Sequence, residues 1–567
     1  MTSSLQAGLE ALTEGRAQDA IPLFKAMVAA NPRDHDARYW LASAMMQGGD
    51  PEGARVLDDA RTMHALSLAR TMDADLQRLR TDPDYALHIG GVLYGRGFVA
   101  IASAVWGMAL SAGRMDAGTL SNYALALQHQ GRVEDASDAY RAAAEVQPIA
   151  AMHQFLVYAQ LFCEDGEARH FAEARAWAER YLNVAPPAPH ANPPRAGRKL
   201  RVGYVAPNFA KSQLRQFIAP VFENHDPDVV EVVLYTADGA ADTTWPSWIE
   251  VKAIGQISDA EAAAMIREDG IDILNDCWGH TAGSRLGVFA LKPAPVQTAW
   301  INFAQTTGLS QIDYVLHART DRTPNFDGLF SEGIWPVAEV FTPFQAGAER
   351  LPPAPTPAKE TGRITFGSFN HPAKLSWEAA AVWATVLRNR PGSQLVLKYR
   401  YYADPVLQRA TQALFLAHGV APERLVFSAH SAGADYYRAF QAVDLMLDCF
   451  PCPGSTTTLE ALSNGVPVLA MCGDPPNVGG FYARTLLEGV GLPELVATDH
   501  QDFVDRALAL TEDVEALDAL RARVRPGFDD GPISDGAGFT RRLETAFGEM
   551  FDRWQAAGGK SSVGQVA

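Results

Sequence analysis

The stretch Leu447–Val468, LDCFPCPGSTTTLEALSNGVPV, runs from a short apolar strand through a glycine turn into a helix that begins with hydroxyl residues. Exposed amides at a helix start, joined by the hydroxyls of Ser455, Thr456 and Thr457 after Gly454, can surround a diphosphate while the helix dipole favours its negative charge. Glu460 follows Thr457 by three positions on the same helix, close enough to that face to accept hydrogen bonds from ribose hydroxyls. The plainer reading is a serine/threonine helix cap, and the stretch alone does not choose between the two.

On either side of that turn, apolar runs of strand character alternate with helical stretches. One set comprises Ile364–Phe369, Gln394–Lys398, Leu425–Phe427, Leu445–Leu447 and Val466–Met471. An earlier set comprises Leu200–Val205, Val229–Tyr235 and Ile271–Leu274. Each alternation predicts a parallel sheet with helices on both faces, one Rossmann-like unit over residues 199–350 and a second over 360–555. The proline-rich LPPAPTPAK, Leu351–Lys359, separates them, and APPAPHANPPRAGRK marks a stiff linker over residues 184–198.

Residues 1–183 have few strand signals and repeat themselves. Gly15 and Gly49, Ala20 and Ala54, Leu93 and Leu127, Gly97 and Gly131, Ala102 and Ala136, and Trp106 and Tyr140 all recur at the 34-residue interval of tetratricopeptide helix pairs. The two runs are out of phase, so one irregular unit is expected between them. Small residues such as Ala20 and Ala136 let helices approach, Phe24 and Tyr140 fill the seam, and Pro32 and Pro148 stop the second helix. Stacked pairs of this kind make a curved surface that binds an extended peptide or another protein; a generic helical scaffold is the alternative.

The 567 residues are 47% hydrophobic, enough for several cores. A formal charge of −18 gives no broad basic surface, which argues against nucleic acid as the main partner. Five cysteines suit a reducing compartment better than a disulfide framework, and the N-terminus lacks a secretory pattern, so the cytoplasm is expected. Phe98–Gly113 is too short for a membrane span and falls in the repeat phase, so it is expected to be a core helix. The Cys449–Cys452 pair merges into the glycine turn and does not open a helix as a redox pair would. No Walker A sequence, H-E-x-x-H or well-placed G-x-G-x-x-G is present.

Taken together, these segments resemble the O-linked N-acetylglucosamine transferase and SPINDLY family. The likeness runs through KLRVGYVAPNF at Lys199–Phe209, DGIDIL at Asp269–Leu274, FALKPAPVQTAW at Phe289–Trp300, FGSFNHPAKLS at Phe366–Ser376 and GLPELVAT at Gly491–Thr498, behind tetratricopeptide repeats. It implies a helical solenoid followed by a GT-B pair of Rossmann-like domains, with the G-S-T-T turn holding a nucleotide diphosphate. Lys374 matches the family lysine that reaches the donor phosphates, a role that suits a compact ammonium. Asn370 and His371 lie beside it as candidate contacts to sugar or acceptor, though a loop histidine without a task is as ordinary. Lys398 and Arg400 follow a predicted strand, as site residues or as solvated charges.

The chain also departs from the family. Where better-known members carry histidines after the first strand, FAKSQLRQ offers Ser212 and Gln216, and Asp272 replaces another. Ser455 stands for a histidine and Glu460 for an aspartate. The resemblance implies inverting transfer to serine or threonine of a protein bound by the repeats, with no metal or other cofactor and with a UDP- or CMP-linked sugar as co-substrate. Bacterial relatives with this layout include flagellin-modifying enzymes, so flagellin is one candidate acceptor. The alternative is a non-catalytic scaffold that kept a nucleotide-sugar fold. The D-x-D triplet at Asp73–Asp75 falls in the repeats and reads as a solvated face.

Overall fold

The computed structural model of the chain describes residues 3–72, 75–184, 189–237, 244–302, 304–319, 326 and 328–559. Asp73 and Ala74 of the D-x-D triplet lie outside the described residues, while Asp75 caps the helix Leu76–Thr81 by accepting from the backbone N–H of Gln77 and Arg78. The chain folds into two units, and each draws on several stretches of sequence.

One unit comprises Met1–Pro148, Leu351–Met471 and Glu494–Arg523. Its N-terminal part is a run of helices, each packed on its neighbour in sequence. Ala20, Phe24 and Ala136 are fully buried and Tyr140 nearly so, as the repeat pattern requires. The expected irregular unit is the long helix Gly53–Thr71 followed by the single short helix Leu76–Thr81. The apolar run after Phe98 forms the helix Val99–Ser111, with Val99, Ile101, Val105 and Trp106 in the core. Among the described residues no helix is long and apolar enough to cross a membrane.

Among the described residues thirteen strands form two parallel sheets: β1 (Leu200–Val205), β2 (Val230–Thr236), β3 (Glu250–Ala253), β4 (Ile273–Asp276), β5 (Val296–Ala299), β6 (Tyr314–Ala318), β7 (Gly333–Ala338), β8 (Thr365–Ser368), β9 (Gln394–Lys398), β10 (Leu425–Ser428), β11 (Leu445–Leu447), β12 (Val468–Met471) and β13 (Val496–Ala497). The first unit holds the sheet of order β10-β9-β8-β11-β12-β13. Its repeat helices dock on the helix Pro405–Ala417: Ala410, Ala413 and Leu416 join the apolar cluster of Leu12, Phe24 and Trp40.

Asp404 ties the same junction. Its Oδ2 accepts from the N–H groups of Ala100 (2.7 Å) and Ile101 (3.3 Å), and its Oδ1 from Val406 (2.9 Å). These bonds are buried, so Asp404→Asn, which keeps one acceptor and turns an NH₂ against the other donors, is expected to cost about 1–3 kcal/mol. Scanning calorimetry should show a lower midpoint for the variant, and an unchanged midpoint would contradict this account of the junction.

The other unit comprises Ile149–Arg350, Cys472–Pro493 and Val524–Ala567, around the sheet of order β3-β2-β1-β4-β5-β6-β7. Helices Ala150–Ala159 and Gly166–Tyr181, read from sequence with the repeats, group here: Val157, Ala174 and Trp177 share a core with Val205, Val233 and Leu274. The C-terminal helix Gly536–Ala556, read with the second Rossmann-like half, groups here too, because its apolar face packs on this sheet. Phe539 stacks on Trp300 at 5.5 Å, and Glu544 lies 2.8 Å from His225 Nδ1.

Candidate functional site

In a doubly wound sheet, ligands sit beyond the carboxyl ends of the strands where the order reverses. In the six-stranded sheet that point lies between β8 and β11, which pair in parallel through Leu445 with Phe366 and Met446 with Gly367. The chain leaves β8 into Phe369, Asn370 and His371, and leaves β11 into Asp448 and the glycine turn.

Asp448 organises the turn. It is 1% exposed; its Oδ1 accepts from Gly454 N (2.7 Å), Cys449 N (2.8 Å) and Asn370 Nδ2 (2.9 Å), and its Oδ2 from Thr458 Oγ1 (3.2 Å). Asn370 Oδ1 in turn accepts from Thr457 Oγ1 at 2.7 Å. Gly454 allows this close approach: a Cβ there would lie 2.4 Å from Thr458 Oγ1 and 2.9 Å from Asp448 Oδ1. Lys374 Nζ donates to Pro453 O at 2.6 Å, so the ammonium stands against the same turn.

The helix after the turn is Thr456–Ser463, and Ser455 occupies its N-cap position without making a side-chain cap bond. The plain capping reading therefore does not describe this serine. The first-turn amides, which have no acceptor within the helix itself, stand beside Lys374 as a site that favours an anion.

Glu460, on this helix, accepts from the Tyr436 hydroxyl at 2.5 Å. Burial pushes its carboxyl up to about 7, and the tyrosine bond draws it back only in part. If ribose hydroxyls donate to it, the ionised form binds better, so nucleotide affinity should rise as pH rises through about 7. Tyr436→Phe removes the bond that favours ionisation, so the midpoint should move upward. Titration calorimetry across this range checks both, and a pH-independent affinity would remove Glu460 from the ribose. For stability the sign is opposite: the native state holds a proton the unfolded chain has lost, so this group's contribution falls as pH rises through that window.

His371 is held on several sides. Its Nδ1 accepts from Ala373 N at 3.0 Å, which leaves the ring proton on Nε2. Burial, with His129, Lys374 and Arg400 adding to it, pushes the imidazole well below its ordinary value. His371 is therefore a neutral hydrogen-bond donor at Nε2, and its Nδ1 is already engaged and unavailable as a general base. Lys398 is buried, not solvated; it donates to Ala429 O at 2.8 Å and Ser428 Oγ at 3.3 Å, and burial lowers its ammonium.

Asp448 and Tyr436 were not read from the sequence. The signal for Asp448 was an ionisable residue directly after the apolar run Leu445–Leu447. Cys449 and Cys452 form no disulfide, and burial pushes the Cys449 thiol up, away from redox activity.

In the seven-stranded sheet the reversal lies between β1 and β4. There Asp276 accepts from Gly279 N (2.8 Å) and Trp278 N (3.3 Å), and burial pushes its carboxyl up to about 7; the sequence reading missed it. Asp272, at the amino end of β4, binds Arg198 (2.6 and 2.8 Å) and Asn192 (2.9 Å), so it anchors the linker. Among the described residues no group of three or more His, Cys, Asp or Glu is placed to hold a metal ion.

A family model, glycosyl transferase family 41, matches residues 182–341 and 359–542. The chain belongs to glycosyl transferase family 41. A tetratricopeptide-repeat model matches residues 11–81 of this family 41 chain. A Hordeum vulgare relative named as a probable UDP-N-acetylglucosamine–peptide N-acetylglucosaminyltransferase SPINDLY is 34% identical over 403 residues, covering 69% of this chain and 42% of its own. The Arabidopsis thaliana protein of that name is 35% identical over 373 residues, covering 63% and 40%. The family 41 chain thus spans less than half the length of these curated relatives. A solved Thermobaculum terrenum O-GlcNAc transferase mutant matches at a TM-score of 0.74 and 25% identity, covering 98% of this chain and 100% of that one. The fold is that of the resemblance: tetratricopeptide helices, then Rossmann-like parallel sheets.

Proposed function

We propose that this chain is an inverting protein O-glycosyltransferase, moving a sugar from a nucleotide-sugar donor to a serine or threonine hydroxyl of a protein held by the repeat helices. The observation that carries the reading is the turn at Gly454: a helix start whose cap-position serine does not cap it, with Lys374 standing against it at the reversal point of the sheet. The acceptor hydroxyl oxygen attacks the anomeric carbon, the bond from that carbon to the phosphate oxygen breaks, the nucleotide leaves with that electron pair, and a phosphate oxygen of the donor takes the hydroxyl proton. Lys374 and the first-turn amides stabilise the charge that builds on the phosphate. Asn370, fixed between Asp448 and Thr457, and His371 Nε2 offer further donors.

The names of the relatives make UDP-N-acetylglucosamine the first donor to test. A CMP-linked nonulosonic acid is a second, suggested by Ser212, Gln216, Asp272 and Ser455 where the resemblance expects histidines. Flagellin is a candidate acceptor. The test is intact-mass measurement of candidate acceptors, flagellin included, after incubation with the protein and each donor. A mass increase of one sugar supports the reading. Nucleotide binding without any mass change across the panel would favour the scaffold.

A further inference from the structure

Two repeat turns in the first unit press on the loops that carry the candidate site. Gly97 and Gly131, one repeat apart, have φ of +86° and +79°, which glycine adopts without strain. A Cβ on Gly131 would lie 3.0 Å from Pro372 O, and one on Gly97 would lie 3.4 Å from Arg400 O. The first of these carbonyls belongs to the short 3-10 turn Pro372–Lys374 after β8, the second to the turn after β9.

His129, two residues before Gly131, fills the space between them. Its ring stacks on Tyr401 at 4.7 Å and 23°, and meets His371 edge-on at 4.7 Å and 65°. Its Nδ1 lies 3.0 Å from the Tyr94 hydroxyl, which comes from the preceding repeat. On its other sides His371 meets Tyr399 (4.7 Å) and Tyr401 (5.4 Å), and its backbone carbonyl accepts from Lys374 N at 2.9 Å. The repeat segment thus forms one wall around the turn that presents Lys374.

We propose that Tyr94, His129 and Gly131 are positioning residues: the repeat helices set the placement of the His371–Lys374 turn and so build part of the donor site. This rests on the reading that Lys374 meets the donor phosphates. The packing explains why His371 is held so closely, and why a side chain at residue 131 would crowd the Pro372 carbonyl. A small displacement of a phosphate-binding group costs a large factor, because its interactions depend on orientation.

The experiment compares wild type, His129→Ala, His129→Phe and Tyr94→Phe. UDP and CMP affinity is read by titration calorimetry, and KM for donor and acceptor are read separately. His129→Ala is expected to weaken nucleotide binding and raise donor KM by about tenfold to 100-fold, leaving acceptor KM unchanged. His129→Phe, which keeps the stacked ring, should recover most of the loss. Tyr94→Phe removes only a hydroxyl, so it should fold even if His129→Ala does not, and a smaller loss of the same kind is expected. Unchanged nucleotide affinity in every variant that folds, with wild-type affinity intact, overturns the proposal. Wild-type protein that binds neither nucleotide instead overturns the donor-site reading, and the proposal with it.

Discussion

Lys374→Ala is expected to fold and to lose sugar transfer by a factor of about 10²–10³, the size seen when one preorganised group that stabilises transition-state charge is removed. The side chain is half-buried at the end of a three-residue turn, and its ammonium donates to the Pro453 carbonyl, an acceptor in a loop and not in the apolar core. The effect should therefore fall on kcat rather than on the unfolding midpoint. Lys374→Arg should restore little, because a planar guanidinium cannot occupy the place of a compact ammonium beside Pro453. The check is a turnover assay with the donor that wild type uses, alongside a thermal melt. A variant that melts normally and transfers at wild-type rate would remove Lys374 from the chemistry.

Asp448→Ala should have the larger effect on the fold of the site. The substitution strands the N–H groups of Cys449 and Gly454 and the amide of Asn370, all buried, at about 1–3 kcal/mol for each one left unsatisfied. A loss of about 3 kcal/mol or more is expected, seen as a lower thermal midpoint, together with loss of nucleotide binding as the Gly454 turn relaxes. Asp448→Asn keeps one acceptor and should fall between. Normal nucleotide affinity in Asp448→Ala would mean that the turn is held by something else.

The parts of the fold that were legible were those where burial is encoded locally. Leu200–Val205, Gln394–Lys398 and Leu445–Leu447 were read with the bounds the structure gives, because strands covered on both faces are near-continuous apolar runs. β3, with the sequence EVKA, is an exposed edge strand without such a run, and β7 contains Pro336, which disguises an edge strand as a loop. The grouping of Gly166–Tyr181 and Gly536–Ala556 with the seven-stranded sheet depends on which surface their apolar faces meet, and periodicity is silent on that.

The site divides the same way. Gly454, Ser455 and Thr456 stand out because a glycine turn before a helix start is a local pattern. Asp448 joins Asn370 across 78 positions and Tyr436 joins Glu460 across 24, and no local pattern records such pairings. His371 was legible as a neighbour of Lys374. That it would be walled in by His129 follows only from the packing of the repeats, while its Nε2 proton is set locally by the Ala373 N–H.

The oxygens of an activated sugar's phosphates are expected to meet the amino end of the helix Thr456–Ser463 beside Lys374. A crystal structure of the protein grown with saturating UDP tests it most directly. Phosphate density is expected within hydrogen-bond distance of the first-turn amides and Lys374 Nζ, with the ribose toward Glu460. Nucleotide bound at another place, or none bound at that helix start, would contradict it.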